Sequence, residues 1–134
     1  HNAPYTLLDN VIASATGQDL NTYLNEQIKT KIGMDGTFIK TGDNNVYYST
    51  PRAMARFGLL LLNKGKWDQT EVIPPAYFDL MVTTSQNINL SYGYLTWLNG
   101  KASSMVPGLQ TVFNQSISPN APADLFAAMG KNGQ

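Results

Sequence analysis

The sequence predicts a mixed fold of the α+β class, in which helices dominate and the sheet is incomplete. Apolar residues recur at helical spacing in four separate segments. Only one segment, over residues 90–98, is rich enough in Tyr, Leu and Trp to predict a strand. Because a stable sheet usually needs at least three strands or equivalent packing, we expect part of the sheet to be missing from these 134 residues.

The first two predicted helices form a hairpin. Asn2 can cap the first helix, which Pro4 opens and Gly17 ends. Asp19 can cap the second helix, which Gly33 ends. Each helix carries one apolar stripe, formed in the first by Leu7, Leu8, Val11, Ile12 and Ala15 and in the second by Leu20, Tyr23, Leu24, Ile28 and Ile32.

The third predicted helix, over residues 50–63, follows a stretch of turns. Residues 34–48 lack helical periodicity, and short extended pieces are predicted over 37–40 and 46–48. Ser49 or Thr50 can then cap the helix, and Pro51 suits its first turn. The apolar face of this helix is so wide that we expect it to lie inside a larger body.

The rest of the chain predicts a fourth helix, the strand and a long loop. Pro74-Pro75 opens the helix over residues 76–82, and an extended segment over 71–73 precedes it. The predicted strand covers Leu90–Leu98, and residues 99–121 read as a loop. Residues 124–128 fit either a short helical turn or the start of another strand.

Composition excludes several classes of function. Net charge is zero and no basic patch is present, so nucleic acid is not an expected partner. No apolar run approaches the roughly 20 residues that span a bilayer. The absence of cysteine excludes disulfides, thiolate metal sites and a cysteine nucleophile. With His1 as the single histidine, we expect no metal and no cofactor.

Four pieces of the sequence follow one another in a specific order. They are Thr16-Gly17-Gln18-Asp19-Leu20, Ile32-Gly33-Met34, the run over residues 48–67, and Tyr92-Gly93-Tyr94 with Trp97. Together they resemble the serine β-lactamase-like hydrolases, the family of class C β-lactamases, DD-peptidases, related esterases and aminohexanoate-dimer hydrolases. The resemblance implies an antiparallel sheet flanked by helices, of which residues 1–134 would be a single partial domain, the helical lobe plus one wall of the cleft.

Enzymes of this family use a Ser-x-x-Lys helix, a Tyr-x-Asn loop and a Lys/His-x-Gly strand. No serine in this chain has a lysine three positions later, so the nucleophile element is absent. His1-Asn2 resembles the end of a Tyr-x-Asn element, and Lys131-Asn132-Gly133 resembles the Lys-x-Gly element. We therefore expect an internal piece of a longer protein, inactive by itself.

The resemblance implies a role for each matching residue. Asn2 would position the substrate amide, and Lys131 would anchor a substrate carboxylate, with Asn132 and Gly133 lining the substrate. The residues alone leave other interpretations open, since Asn2 is also an ordinary helix cap and Lys131-Asn132-Gly133 also fits a turn with a solvated lysine. Tyr23-Leu24-Asn25 matches Tyr-x-Asn by letter, but we expect it in mid-helix.

The implied activity is cleavage of an amide or ester bond in a small molecule through an acyl-serine intermediate, without metal. The Asn-Gly-Gln that follows Lys131 favours the esterase and aminohexanoate-dimer hydrolase branch. A complementary chain would complete the sheet, and a periplasmic or secreted location follows from the resemblance only. The alternative is a non-enzymatic binding or interaction module with a β-lactamase-like helical lobe.

Overall fold

The computed structural model describes residues 6–42, 44–106 and 108–130. Helices and short antiparallel strands both occur, which confirms the mixed α+β content. The chain divides into two compact units, of which the first ends at Ile73 and the second begins at Pro74. The single partial domain stays a prediction. No helix in the described part of the chain has the length and apolar character needed to cross a bilayer.

The first unit contains most of the helices. Its elements are α1 (Leu8–Thr16), α2 (Leu20–Leu24), a π-helical turn (Asn25–Lys29), α3 (Thr30–Ile32), β1 (Thr37–Thr41), β2 (Asn44–Tyr48), α4 (Pro51–Leu62), β3 (Lys66–Trp67) and β4 (Thr70–Glu71). The second unit contains α5 (Pro75–Met81), β5 (Trp97–Leu98) and β6 (Phe126–Ala127). The described residues form three two-stranded antiparallel sheets, β1 with β2, β3 with β4 and β5 with β6.

The predicted helical hairpin is present, with its turn residues in the expected roles. Gly17 ends α1 in the left-handed conformation, with φ of 72°. The Asp19 carboxylate then caps α2 by accepting from the backbone N–H groups of Asn21 and Thr22. No residue of α1 is buried, although its apolar stripe is intact. The predicted cap Asn2 and the opening Pro4 lie outside the described residues.

The second helix of this hairpin is interrupted by the π-helical turn, which the sequence did not predict. The Thr30 N–H donates to Asn25 O, five residues back. Leu20, Leu24, Ile28 and Ile32 follow one another at intervals of four residues. Since an α-helix completes a turn in 3.6 residues, such a stripe would rotate around the helix, and the wider π turn reduces that rotation. Ile32 at the end of the stripe is buried.

Helix α4 follows the hairpin β1–β2 in the chain and packs against the end of α3. Thr50 is its cap and accepts from the Ala53 N–H at 3.2 Å, which decides between the two candidate capping residues. Arg56 on α4 donates to Ile32 O at 2.8 Å, and its guanidinium lies 5.8 Å from the centre of the Trp67 ring. Both contacts fix α4 against the rest of the first unit, because the arginine caps α3 and makes a cation–π contact.

The prediction of one strand over Leu90–Leu98 is wrong in extent, because the chain reverses within it. The Gly93 N–H donates to Thr96 O at 2.8 Å, and Leu95 adopts a left-handed conformation. Tyr92 and Trp97 then form an antiparallel bridge, with their rings 4.8 Å apart and edge-on. Only Trp97–Leu98 belongs to a strand, β5, which pairs with β6. Of the two alternatives for residues 124–128, the strand is therefore the right one.

Candidate functional site

The predicted site residues Asn2, Lys131, Asn132 and Gly133 all lie outside the described residues. The structure therefore assigns them no geometry, and their roles stay predictions. The described chain that precedes Lys131 is β6 and the residues up to 130. This part of the second unit is where a candidate site can be built from observed contacts.

A small depression lies beside the pair β5–β6. Apolar side chains dominate its lining, which includes Trp97, Ile117, Leu125, Phe126 and Met129. Its volume is about 40 Å³. Because a water molecule needs roughly 10–15 Å³ by this measure, the depression has room for about three waters. The depression could hold the end of an apolar group, and it is too small for a whole drug-sized molecule.

Asn99 fixes the loop that forms one side of this depression. Its amide nitrogen donates to the carbonyl oxygens of Ser118 and Pro122, both at 2.9 Å, and of Ala121 at 3.3 Å. Its amide oxygen accepts from the Ser118 N–H at 3.0 Å. Since every polar atom of this buried side chain is engaged, Asn99 holds the loop and is not available to bind a ligand.

Most serine hydroxyls of the described residues donate a hydrogen bond to the backbone. The hydroxyls that donate to a main-chain carbonyl are those of Ser49, Ser85, Ser91, Ser104 and Ser116. A serine nucleophile needs a neighbouring base that removes its proton. None of these five hydroxyls donates to such a base, so none of the five is an activated nucleophile in the described structure.

Tyrosine could act as a base only if its hydroxyl were readily ionised. Burial raises the pKa of the Tyr92 hydroxyl, and burial also raises the pKa of the Tyr47 hydroxyl. Both phenols therefore stay protonated at neutral pH. Tyr23, in the stretch that matches Tyr-x-Asn by letter, lies in α2 and is half-buried, in agreement with the prediction that this stretch is in mid-helix.

Buried polar groups in the described residues are satisfied internally. No buried side-chain nitrogen or oxygen among them lacks a hydrogen-bond partner. Nor do the described residues bring three or more His, Asp or Glu side chains together as a metal site would require. An unsatisfied polar group aimed into a cavity often marks a binding site, and that mark is absent from this part of the molecule.

Sequence reasoning missed the residues that form the depression. Ile117, Leu125 and Met129 belong to segments predicted only as loop or left undecided. The sequence contains only a weak signal that could have predicted these residues as part of a site. Asn99-Gly100 marks a turn, but nothing local indicates that the Asn99 side chain reaches Ser118, nineteen residues away.

Comparisons of the chain with protein-family models, with curated protein sequences and with solved structures found no match.

Proposed function

We propose that this chain is part of a serine hydrolase of the β-lactamase-like family, which cleaves an amide or ester bond of a small molecule through an acyl-serine intermediate. The four sequence pieces in their order support the proposal. The observation that carries it furthest is the Arg56 contact, since Nη1 donates to Ile32 O at 2.8 Å. Through this bond the run over residues 48–67 and the piece Ile32-Gly33-Met34 belong to one packed body.

In this proposal the chain supplies the helix-rich portion of a β-lactamase/DD-peptidase-like fold, and part of the antiparallel sheet comes from a complementary segment or chain. The unburied apolar stripe of α1 supports this interpretation. Leu8 and Val11 are exposed there, although apolar helix stripes are normally packed against another element. The serine and its lysine would come from residues other than these 134.

The residues of this chain would act on substrate binding and not as the nucleophile. Asn2 would hold the substrate amide by hydrogen bonds. Lys131 would attract a substrate carboxylate, and Gly133 would allow the substrate to approach the backbone closely.

A second candidate function is a binding module without catalytic activity. It is favoured by serine hydroxyls that bond to the backbone, such as that of Ser91, and by the exposed apolar side chains of α1. Large exposed apolar patches mark surfaces that bind another protein. The two candidates differ in whether a reactive serine accompanies this chain.

Intact-mass measurement with a fluorophosphonate probe separates the two candidates. The hydrolase proposal predicts that the protein isolated from its source has a mass well above 14.7 kDa and gains one probe adduct. A mass near 14.7 kDa without an adduct would contradict it and favour the binding module. Turnover of an ester by the 134-residue chain alone would contradict the assignment of the nucleophile to other residues.

The role of Lys131 has its own test in the adduct-forming protein. We expect Lys131→Ala to raise KM at least tenfold for an ester that bears a carboxylate and to leave KM for a neutral ester nearly unchanged, because only the carboxylate needs the positive charge. Lys66→Ala, at an exposed lysine of β3, is the matched control. Equal effects of Lys131→Ala on both esters would show that this lysine does not anchor the carboxylate.

A further inference from the structure

The hairpin β1–β2 has two outer edges, and a side chain covers one of them. Asn21 Oδ1 accepts from the Phe38 N–H at 2.8 Å, and Asn21 Nδ2 donates to Phe38 O at 3.0 Å. The backbone groups of Phe38 therefore point away from β2. In an antiparallel pair the opposite residue, here Tyr47, then points its N–H and C=O away from β1.

Among the described residues, no strand pairs with the other edge, on β2. By the same alternation Asn45, opposite Lys40, also directs its N–H and C=O outwards. No hydrogen bond from a described residue reaches these outward groups of Asn45 and Tyr47. Edge strands are usually protected by a lysine, a proline, a bulge or a covering element. β1 has Lys40 and the Asn21 side chain, whereas β2 has no charge, no proline and a continuous register.

One face of the hairpin next to this edge is apolar and exposed. Ile39 and Val46 lie directly opposite each other, and Tyr48 follows on the same face two residues further along β2. Their side chains are 47%, 39% and 53% exposed. An open strand edge and an adjoining apolar face together are the features that another strand recognises.

We propose that β2 pairs antiparallel with β2 of a second copy of this chain, so that the two hairpins form one four-stranded sheet. A two-fold axis at Val46 sets the register. Asn45 then lies opposite Tyr47 of the second copy, and Tyr47 lies opposite Asn45 of the second copy. Both pairs bring outward N–H and C=O groups face to face, with two hydrogen bonds in each pair.

The occupant is a second copy because β2 is complementary to itself. Its outward backbone groups, at Asn45 and Tyr47, lie at equal distances on either side of Val46. Val46 then meets its own copy in a non-hydrogen-bonded position, where opposite side chains approach most closely. β2 is uncharged, so no like charges meet at the axis. The pairing is independent of the proposed function and, because one strand edge is a small interface, it is weak.

Cysteine cross-linking tests the register directly, since the chain has no cysteine of its own. In Val46→Cys the two Cβ atoms would lie about 4.5–5.5 Å apart, close enough for a disulfide after a small adjustment. We expect this variant to form disulfide dimers at least tenfold faster than two controls under mild oxidation. Tyr48→Cys would place its sulfurs roughly 13 Å apart along the strands, and Ile39→Cys roughly 14 Å apart across the sheet.

Sedimentation of charge variants provides a second readout on the full chain. We expect weak, concentration-dependent dimers that Val46→Lys abolishes, because two lysines would meet at the axis. In Ile39→Lys the two added charges would lie farther apart than the screening distance of about 8 Å. This variant should therefore leave the dimer nearly intact. Equal cross-linking of the three cysteine variants, or dimers that survive Val46→Lys, would overturn the proposal. A monomer at every concentration would also overturn it and leave the edge to an extended segment of another protein.

Discussion

Three asparagine side chains act as substitutes for a neighbouring strand. In each, the amide nitrogen donates to the C=O and the amide oxygen accepts from the N–H of one distant residue. The pairs are Asn21 with Phe38, Asn89 with Met105 and Asn99 with Ser118. A carboxamide has the same donor and acceptor as a peptide group, so it satisfies a backbone that has no strand beside it. Much of the irregular second unit depends on such contacts.

Asn99→Asp tests this role and has a characteristic pH dependence. Asn99 is 7% exposed, and its amide nitrogen faces three carbonyl oxygens. A carboxylate there would face the same oxygens without a proton, so we expect a loss of about 3 kcal/mol in the free energy of unfolding at pH 7. A protonated carboxyl can donate again, which raises the pKa of this aspartate in the folded state.

The deficit of Asn99→Asp should therefore be full above the raised folded pKa and smallest below the unfolded value of about 3.9. Urea unfolding of the variant and the unmodified chain at pH 7 and pH 3.5 measures it. Asn99→Ala, which cannot donate at either pH, is the control. A deficit of the same size at both pH values would mean that the donor is not what stabilises the loop.

The lowered pKa of Asp19 gives the free energy of unfolding a pH dependence of the opposite sign. The hydrogen bond from the Thr22 hydroxyl, with that from the Thr22 N–H, lowers the pKa of the Asp19 carboxyl below 3.8. Its contribution is thus present above the unfolded pKa and is lost as the pH falls through the lower folded value. Asn caps helices as well as Asp but does not titrate. We expect Asp19→Asn to flatten the loss of thermal stability between pH 5 and pH 2, followed by circular dichroism, and identical slopes would contradict this.

At the scale of elements, Gly58 and Gly93 have opposite effects on stability. Gly58 is exposed in the middle of α4, and a Cβ there would meet nothing within 4 Å. Gly93 lies where the turn after Tyr92 touches the end of α5, and a Cβ there would collide with Met81 O. The first glycine weakens a helix, whereas the second allows two backbones to approach.

Alanine substitution should separate these roles. We expect Gly58→Ala to raise the free energy of unfolding by about 1 kcal/mol, the helix-propensity difference between the two residues. Gly93→Ala should lower it by about 1–3 kcal/mol, because the backbone must move to accept the methyl group. Chemical denaturation of both variants measures the effects. A neutral Gly93→Ala would mean that α5 and the turn are not held together as closely as the contact implies.

Elements with local signals could be predicted from the sequence, and elements that depend on distant contacts could not. The end of α1 at Gly17, the Asp19 cap and the Pro51 start of α4 each follow from one or two neighbouring residues. The reversal inside residues 90–98 was missed because Leu95, which takes the left-handed conformation, is not a residue that marks turns.

The candidate site was less predictable than the elements for the same reason. The depression beside β5–β6 exists because Asn99 draws in residues 118–122, and a contact across some twenty residues leaves no periodic pattern. The resemblance directed attention to Asn2 and Lys131, which lie outside the described residues. The sequence therefore predicts which residue types a site would need, and it does not predict how the fold brings them together.

At the scale of the whole molecule, each compact unit has buried apolar residues of its own. Leu60 is fully buried in the first unit and Phe78 is 4% exposed in the second. The ring of Phe78 packs edge-on against Phe126 with centroids 5.9 Å apart. Each unit also contains one of the two tryptophans, Trp67 in the first and Trp97 in the second. The chain therefore carries a separate fluorescent probe for each core.

These probes test whether the chain unfolds as two bodies or as one domain. Leu60→Ala and Phe78→Ala should each cost roughly 2–5 kcal/mol, since both leave a cavity in a packed core. In chains that keep only Trp67 (Trp97→Phe) or only Trp97 (Trp67→Phe), we expect Leu60→Ala to lower the urea midpoint mainly at Trp67. Phe78→Ala should lower it mainly at Trp97. If either substitution moved both midpoints equally, the two units would unfold as one cooperative domain, as the sequence predicted.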